Sequence, residues 1–279
     1  MKIGIIGLGL MGGSLALALK KYNQDITIYG YDTNQKHLIY AKEKKLIDHT
    51  LLEDNLQNVS IIFVATPVRS IVKVIADLYN IIDLANTIVT DMGSSKKLIC
   101  QEIKQRFPLL RFVGGHPMTG REVSGPEAAL ADLFRDKTYI LINNNNPGDL
   151  AQIAEIIKGI RSKVITLNPE KHDNLISFTS HLPQFLATAV VNLLNDVVVE
   201  NPEVIDLIGQ GFLDFTRIAG SDPQMWTDIL ISNKKAVLRS IGRLKGKIAE
   251  FEEAIKIEDE EYIYKLIKKG REQRKKIEV

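Results

Sequence analysis

The sequence predicts an α/β protein in which a domain of alternating strands and helices is followed by an all-helical domain. A compact apolar strand, a glycine-rich turn and a helix open the chain. Apolar strands and helical periods then alternate up to residue 168, and strand signals disappear after Pro169. Near-continuous apolar strands that alternate with helices are typical of a parallel sheet covered on both faces. We therefore expect one domain at 1–168 and a second at 169–279.

Composition narrows the class of protein. The chain has 279 residues, of which 45% are apolar and 25% charged, with a net charge of +2. These values are typical of a soluble globular protein with room for two domains. The near-neutral net charge lacks the excess of basic residues that is typical of nucleic-acid binding. No apolar run reaches the length of about eighteen residues that is needed to span a bilayer. The single cysteine, Cys100, excludes a disulfide framework and fits a reducing compartment. We expect a cytoplasmic protein without nucleic-acid or membrane partners.

A phosphate-binding turn follows the first strand. Lys2–Ile6 is a compact apolar run, and the turn after it is Gly7-Leu8-Gly9-Leu10-Met11-Gly12. In this context Gly7 allows a tight turn, Gly9 lets a pyrophosphate approach the backbone, and Gly12 lets the next helix pack on the strand. The free N–H groups of that helix, predicted at 14–20, then face the phosphates. The alternative is a glycine-rich turn that binds no ligand.

An acidic residue ends the second predicted strand, 25–31. Asp32 lies twenty residues past Gly12, where a carboxylate accepts hydrogen bonds from the hydroxyls of an adenosine ribose. The carboxylate would also repel a 2′-phosphate, and Thr33 and Asn34 supply no arginine to hold one. The turn, its flanking elements and Asp32 together predict a Rossmann-type domain that binds NAD rather than NADP.

The other elements follow from hydrophobic periodicity. Apolar runs predict strands at 61–65, 87–91, 112–114, 138–142 and 164–167. Amphipathic runs predict helices at 35–45, 70–79, 96–106 and 150–160. Past Pro169 we expect a helix at 171–196 bent near Pro183, a second at 202–219, and a third that begins after Pro223.

The third of these helices carries an apolar stripe with alternating spacings of four and three residues. Its members are Val237, Ile241, Leu244, Ile248, Phe251 and Ile255. Such a stripe needs a partner surface, which lies either within the chain or across a two-fold axis.

Polar side chains follow several of the predicted strands. Ligands of an open parallel sheet bind beyond the carboxyl ends of its strands, so Thr66, Pro67 and Ser94 are expected to contact the cofactor. Ser94 precedes a helix, so it is a candidate helix cap, and a cap at this end of the site could still turn its hydroxyl to the substrate. His116 lies in the glycine- and proline-rich segment 114–120, a stiff loop that suits proton chemistry near neutral pH. The alternative is a structural histidine bonded to a loop carbonyl.

Two side chains of the helical half are ambiguous. His181, just before the bend at Pro183, is either structural or part of the site. Arg217 either pairs with Asp214 or Asp222, or clamps a substrate carboxylate with its planar fork. Of the remaining histidines, His37 and His49 are expected to be uninvolved and His172 to be structural. No group of Cys, His and Asp has metal-ligand spacing, so no metal is expected.

Taken in order, these segments resemble the prephenate dehydrogenases, which convert prephenate to 4-hydroxyphenylpyruvate in tyrosine biosynthesis. The resemblance covers nearly the whole chain through GLGLMGGSLA, Asp32, DMGSSK, GGHPMTGRE, SHLPQ and DFTRIAGSDPQMW. It implies an NAD-dependent oxidoreductase of aromatic amino acid biosynthesis, with prephenate as substrate. It also favours a homodimer formed through the helical domain.

The resemblance implies a role for each site residue. His116 would contact the ring hydroxyl of the substrate, Ser94 would assist at the same hydroxyl, and Arg217 would hold a substrate carboxylate. Three others would lie beside the substrate or near the pocket entrance: His181, Glu122 and Asp214.

One position departs from a frequent family pattern, and it bears on the substrate. Gln184 stands where SHLPH has its second histidine. Its amide N–H suits a keto oxygen or a carboxylate, whereas the ammonium of arogenate would need a carboxylate partner. Prephenate therefore fits better, with an arogenate (cyclohexadienyl) dehydrogenase as the alternative. A third possibility is a 3-hydroxyacid dehydrogenase, but such enzymes use a lysine and an asparagine on a helix, and the spacing of Lys234 and Asn233 matches that pair poorly. A fourth is an NAD-binding module without catalysis.

Overall fold

A computed structural model describes residues 1–22, 25–142 and 146–277. The chain divides into two compact units, Met1–Asn233 and Lys234–Val279. The first contains both sheets and the helices around them. The second is helical.

The main sheet of the first unit has six strands, all of them parallel. In spatial order they are β3-β2-β1-β4-β5-β6. Their bounds are β1 Lys2–Ile6, β2 Thr27–Tyr31, β3 His49–Thr50, β4 Ile61–Val64, β5 Ile88–Asp91 and β6 Phe112–Val113. This order changes direction between β1 and β4, the position at which such sheets bind dinucleotides.

Helices cover both faces of this sheet, as the near-continuous apolar strands predict. They are α1 Leu10–Tyr22, α2 Gln35–Glu43, α3 Glu53–Leu56, α4 Ile71–Tyr79, α5 Lys97–Arg106 and α6 Pro147–Gly159. One apolar cluster joins Ile3 and Ile5 to Leu15 of α1. A second joins Ile62 to Ile71 of α4. Alternate residues of β1 and β4 therefore enter two cores, one on each side of the sheet.

Two of the predicted strands, at 138–142 and 164–167, lie in a second sheet. It contains β7 Gly115–Pro117, β8 Thr138–Ile142 and β9 Lys163–Leu167, and β7 runs antiparallel to β8. The chain leaves β6 because the N–H of Gly115 donates to the carboxylate of Asp91. A Cβ atom at Gly115 would lie only 2.5 Å from the carbonyl oxygen of Asp91, so glycine is required there. The segment around His116 is thus part of a strand and not only a stiff loop.

The rest of the first unit is helical. Its elements are α7 Pro169–Ile176, a π-helical turn Ser177–His181, α8 Leu182–Glu200, a 3₁₀ turn Pro202–Leu207, α9 Gln210–Thr216, a 3₁₀ turn Arg217–Gly220 and α10 Pro223–Ser232. The predicted bend near Pro183 corresponds to the π turn, which ends immediately before α8. Such turns widen a helix by one residue and are frequent at functional sites. The helix predicted at 202–219 is divided into three short elements.

Pro169–Glu200 is long and apolar enough, by length and composition alone, to cross a membrane. Polar residues interrupt this segment, so no unbroken apolar run within it reaches about eighteen residues. Core helices of soluble proteins pass the same test. This segment also carries buried polar side chains, among them His172, Asp173, His181 and Gln184.

The second unit consists of α11 Lys234–Lys256 and α12 Glu260–Lys276, which contact each other. The helix predicted to begin after Pro223 is therefore interrupted at Asn233. The apolar stripe lies on α11. Its later members line a groove of about 670 Å³ with Leu244, Lys247, Ile248, Phe251, Glu252 and Ile255 in its walls.

Candidate active site

The glycine-rich turn has the backbone geometry that its sequence predicts. Gly7 has a φ of +93°, a region that favours glycine, and its N–H donates to the carbonyl of Tyr31 at 2.8 Å. A Cβ atom at Gly12 would lie 1.9 Å from the carbonyl oxygen of Gly7, which only a glycine avoids. A Cβ at Gly9 would meet nothing within 4 Å. The turn therefore closes tightly at Gly7 and Gly12 and leaves an open approach at Gly9.

The carboxylate of Asp32 is fixed at the end of β2. One oxygen accepts the N–H of Leu8 at 2.7 Å and the other accepts the N–H of Asn34 at 2.8 Å. His37 Nδ1 lies 3.4 Å from the first of these oxygens. His37 was expected to be uninvolved, and the structure corrects this, because α2 begins at Gln35 and its first turn brings His37 back to Asp32.

Thr66 and Pro67 follow β4 beside the glycine turn. A Cβ at Gly7 would lie 3.1 Å from the backbone nitrogen of Thr66. The Thr66 hydroxyl is buried and has no hydrogen-bond partner among the described residues. Pro67 is exposed, and its carbonyl accepts the N–H of Ser70. An unsatisfied buried hydroxyl next to an open backbone turn fits a site that a polar ligand completes.

A buried ion pair lies at the end of β5. Lys96 and Asp91 are both inaccessible to solvent and form a salt bridge. The Asp91 carboxylate also accepts the N–H groups of Gly93 and Gly115, at 2.9 and 3.1 Å. Lys96 Nζ donates in turn to the carbonyl of Gly115 at 2.8 Å. The pair thus fixes the backbone of the residue that precedes His116.

Ser94 is half-buried and does not cap α5. The first N–H groups of that helix region belong to Lys96 and Lys97, and both donate to the carboxylate of Asp173, at 2.8 and 3.0 Å. The capping alternative for Ser94 is therefore wrong, because an aspartate distant in sequence occupies the capping position. The neighbouring Ser95 hydroxyl donates to Ser232 of α10 at 2.8 Å.

His116 is buried on β7 and contacts another histidine. Its Nδ1 lies 2.8 Å from Nε2 of His172, and Nδ1 of His172 lies 2.8 Å from the carboxylate of Asp173. The alternative expectation, a hydrogen bond from His116 to a loop carbonyl, is wrong, because Nδ1 of His116 contacts His172 instead. His172, which was expected to be structural, is the residue that His116 contacts. Among the described residues no hydrogen bond reaches Nε2 of His116.

Burial keeps these histidines neutral. Desolvation lowers the pKa of His116 well below its usual 6.5, and His172, Lys96 and His181 lower it further. Burial also lowers the pKa of His172, although its hydrogen bond to Asp173 opposes the effect. A neutral imidazole can accept a hydrogen bond, so His116 suits a reaction in which a hydroxyl gains carbonyl character.

His181 is the second buried histidine that the sequence singled out. Its Nδ1 lies 3.3 Å from the amide nitrogen of Asn233, which also donates to the backbone carbonyl of Asp173 at 2.9 Å. Its ring meets Trp226 edge-on, with centroids 6.1 Å apart. Nε2 of His181 is buried and unpartnered among the described residues. Burial lowers the pKa of His181 to about 4. Gln184 is buried one turn further, on α8.

Arg217 forms a separate group at the surface. It pairs with Glu122, and the two side chains are 65% and 38% exposed. The alternative pairing with Asp214 or Asp222 is wrong, since Asp214 accepts from Gln210 and Asp222 caps α10 through the N–H of Met225. An arginine in a solvent-accessible pair can exchange its partner for another carboxylate at little cost.

No group of three or more His, Cys, Asp or Glu side chains within the described ranges could hold a metal ion.

Comparison with known proteins matches both halves of the chain to one family. Residues 15–166 match the family described as prephenate dehydrogenase, nucleotide-binding domain, and residues 168–269 match prephenate dehydrogenase, dimerization domain. A prephenate dehydrogenase of Lactococcus lactis is 33% identical over 100% of this chain and 78% of the relative.

Two solved structures are also similar. Prephenate dehydrogenase from A. aeolicus, in complex with hydroxyphenyl propionate and NAD+, superposes with a TM-score of 0.90 at 32% identity, covering 99% of this chain and 98% of that one. Arogenate dehydrogenase of Synechocystis superposes with a TM-score of 0.85 at 27% identity, covering 99% and 100%. With both family matches and this shared fold, the chain belongs to the prephenate dehydrogenase family.

Proposed function

We propose that this chain catalyses the NAD-dependent oxidative decarboxylation of prephenate to 4-hydroxyphenylpyruvate, a reaction of tyrosine biosynthesis. The observation that carries the proposal is His116, a buried, neutral histidine whose Nε2 is not bonded to any described residue. It lies in a unit that also contains a dinucleotide-type turn and an exchangeable arginine. The name of the L. lactis relative and the ligands of the A. aeolicus complex support the same substrate class and cofactor.

The residues of the glycine turn fit a dinucleotide. The open backbone at Gly9 and the unsatisfied hydroxyl of Thr66 suit phosphate and ribose oxygens, and Asp32 suits the hydroxyls of the adenosine ribose. Pro67 and Ser94 border the same edge of the sheet. When bound, NAD+ supplies the acceptor for the hydride.

The chain's own residues orient the substrate and bind its hydroxyl. Hydride leaves the ring carbon that bears the hydroxyl, carbon dioxide leaves the opposite carbon, and the ring becomes aromatic. The hydroxyl proton stays with the product as its phenol, so His116 has only to accept a hydrogen bond as carbonyl character develops. Ser94 assists at the same hydroxyl. The product, carbon dioxide and reduced cofactor together account for every atom and charge of prephenate and NAD+.

Arg217 holds a substrate carboxylate by exchanging Glu122 for it. Its planar fork suits a bidentate contact. This contact serves positioning, because tight binding of the carboxylate that is lost would stabilise the ground state and oppose decarboxylation. His181 lies beside the substrate, and Glu122 lies at the pocket entrance.

Gln184 favours prephenate over arogenate in this proposal. Its buried amide can donate to a keto oxygen or a carboxylate but cannot neutralise an ammonium. The arogenate dehydrogenase of Synechocystis keeps the alternative substrate open as a second candidate.

The proposal assigns cofactor binding to 1–168, and substrate closure and dimerisation to 169–279. The two family matches, which meet between residues 166 and 168, support this division. The compact unit extends further, to Asn233, because α7 and α10 bind the sheet domain through Asp173 and Ser232.

The functional molecule is a homodimer formed through the helical domain. The description of residues 168–269 as a dimerization domain supports this. So does the exposure of apolar side chains in each unit: Val199 is 82% exposed on α8, and Ile255 is 62% exposed on α11. Light scattering should give about twice the 31.3 kDa of one chain. A monomer at micromolar concentration would contradict the dimer.

The enzyme acts in the cytoplasm, without a membrane partner. Burial raises the pKa of the only thiol, Cys100, to about 12, so it stays an unreactive packing residue and needs no oxidising compartment. Recovery of the protein in the high-speed supernatant of lysed cells tests this. Recovery in the membrane pellet would contradict it.

One assay tests the activity. NADH or NADPH formation is followed with prephenate and with arogenate, each in the presence of NAD+ and of NADP+. We expect the highest kcat/KM with prephenate and NAD+. Binding of NADH without turnover of either substrate would instead identify an NAD-binding module.

A further inference from the structure

The side chains of His116, His172 and Asp173 form one hydrogen-bonded series that ends at the start of α5. Nδ1 of His116 meets Nε2 of His172, and Nδ1 of His172 meets Oδ1 of Asp173, both at 2.8 Å. Asp173 also accepts the N–H groups of Lys96 and Lys97 at the start of α5. His116, His172 and Asp173 are all buried.

The direction of each hydrogen bond follows from the acceptor at the end of the series. The Asp173 carboxylate accepts two backbone N–H groups and has no proton to give, so Nδ1 of His172 must carry a hydrogen and donate it. A neutral imidazole carries one N–H, which leaves Nε2 of His172 as an acceptor. Nδ1 of His116 must therefore be the donor in the contact between the two histidines.

We propose that His172 and Asp173 are positioning residues that fix the tautomer of His116, with the hydrogen on Nδ1 and the lone pair on Nε2. The inference rests on the proposed function, because Nε2 is then the atom that accepts the substrate hydroxyl. The other tautomer would place two lone pairs against each other at 2.8 Å and would present an N–H to a hydroxyl that must donate.

Charged and titratable neighbours favour the neutral pair. Lys96, from the start of α5, and His181, from the π turn, both disfavour a proton on His116. Asp91, on β5, is already paired with Lys96. Asp173 is thus the anionic group bonded to the series, and its charge acts on His172 directly.

The anchoring of Asp173 explains why the series keeps its geometry. Two backbone N–H groups hold its carboxylate, and the amide of Asn233 holds its carbonyl at 2.9 Å. The carboxylate therefore stays oriented toward His172, and Asn233 fixes the backbone of the same residue. The orientation of both imidazoles is therefore set by backbone positions in α5 and α7.

Two variants of His172 separate its hydrogen-bonding role from its volume. His172→Phe keeps a ring and removes the acceptor, so kcat should fall by about 10²-fold or more, with KM for prephenate and for NAD+ changed by less than about threefold. His172→Gln can donate to Asp173 through its amide nitrogen and accept from His116 through its oxygen. The kcat of this variant should be at least about tenfold higher than that of His172→Phe. His49→Phe, at the end of the main sheet, is the control and should leave kcat unchanged.

Asp173→Asn tests the direction of the series. The new amide can donate to Nδ1 of His172, and the hydrogen of His172 would then lie on its Nε2. Since that Nε2 would donate to Nδ1 of His116, the hydrogen of His116 would lie on Nε2 of His116. Nitrogen-15 NMR of histidine-labelled protein reports the tautomer without substrate or cofactor. We expect Nδ1–H for His116 in the unmodified protein, and loss of that preference in His172→Phe and Asp173→Asn.

The outcomes separate this inference from the proposed function. A His116 that carries its hydrogen on Nε2 in the unmodified protein would overturn the inference, and so would a His172→Phe variant with normal kcat on prephenate. If the protein does not turn over prephenate but has the expected tautomer in the NMR experiment, the proposed function fails and the tautomer assignment stands. Thermal unfolding of each variant identifies any loss of kcat that comes from misfolding, and in that case the NMR result decides.

Discussion

Lys96 Nζ lies 2.8 Å from the carbonyl oxygen of Gly115, so a fully buried lysine holds the backbone just before His116. It forms a salt bridge with Asp91, which is also buried. The lysine therefore has two effects on the site: it fixes the start of β7, and its charge disfavours a proton on His116.

Replacement of this lysine should affect stability and the pH profile together. Lys96→Met leaves the Asp91 carboxylate buried without its cation, which costs about 3–5 kcal/mol of folding free energy. Since the positive charge lowers the pKa of His116, its removal should move the acid limb of kcat to higher pH. Denaturant unfolding and a pH–rate profile measure the two effects.

The next residue supplies a matched control. Lys97 is exposed and pairs at the surface with Glu170, so Lys97→Met should change stability by less than about 1 kcal/mol. If Lys96→Met and Lys97→Met were equally stable, the buried pair would not have the structural role described.

Asp32 should determine the cofactor. Asp32→Ser removes the charge that repels a 2′-phosphate, so the kcat/KM ratio of NAD+ to NADP+ should fall by at least about tenfold, which corresponds to about 1.4 kcal/mol. Asp32→Asn keeps the shape of the side chain and isolates the charge. Efficient use of NADP+ by the unmodified protein would be inconsistent with this role of Asp32.

Arg217 should affect substrate binding more than turnover. Arg217→Lys keeps the charge but loses the planar fork, so KM for prephenate should rise by about tenfold or more with a smaller change in kcat. KM for NAD+ should not change. A variant whose kcat fell while KM for prephenate stayed constant would show that Arg217 does not hold the substrate in its ground state.

Gln184 should influence the choice between two substrates. Gln184→Asp introduces a carboxylate that attracts the ammonium of arogenate and repels the pyruvyl carboxylate of prephenate, so the kcat/KM ratio should shift toward arogenate. Gln184→Asn has the same size without the charge and is the control. Equal substrate ratios in the two variants would remove Gln184 from the explanation of specificity.

Local sequence patterns predicted the backbone geometry of the glycine turn and the position of Asp32 at the end of β2. The glycine turn and Asp32 depend on neighbours in the chain, and turn chemistry and strand periodicity report such neighbours directly. The only sequence feature that points to Lys96 is its spacing, five residues after the strand-end Asp91, in a polar segment that also contains Ser94, Ser95 and Lys97. A pairing between Lys96 and Asp91 could have been proposed on that basis.

Contacts between distant segments could not be obtained in this way. His116 and His172 are 56 positions apart, and Arg217 and Glu122 are 95 positions apart. Nothing in the dipeptide His172-Asp173 distinguishes it from an ordinary polar helix start. The antiparallel pairing of β7 escaped prediction for the same reason, because it joins Gly115–Pro117 to Tyr139–Leu141, which are distant in the chain.

The pH dependence of kcat on prephenate with NAD+, measured for the unmodified protein and for His116→Asn, tests the central claim most directly. Because burial lowers the pKa of His116, the site should keep its neutral imidazole as pH falls past 6.5 and lose activity only at lower pH, through a single ionisation. His116→Asn should lose about 10²–10⁴-fold in kcat, together with that acid limb, while it still binds NADH. A His116→Asn variant with near-normal kcat, or one that keeps the same acid limb, would contradict the assignment of His116 as the neutral acceptor of the substrate hydroxyl.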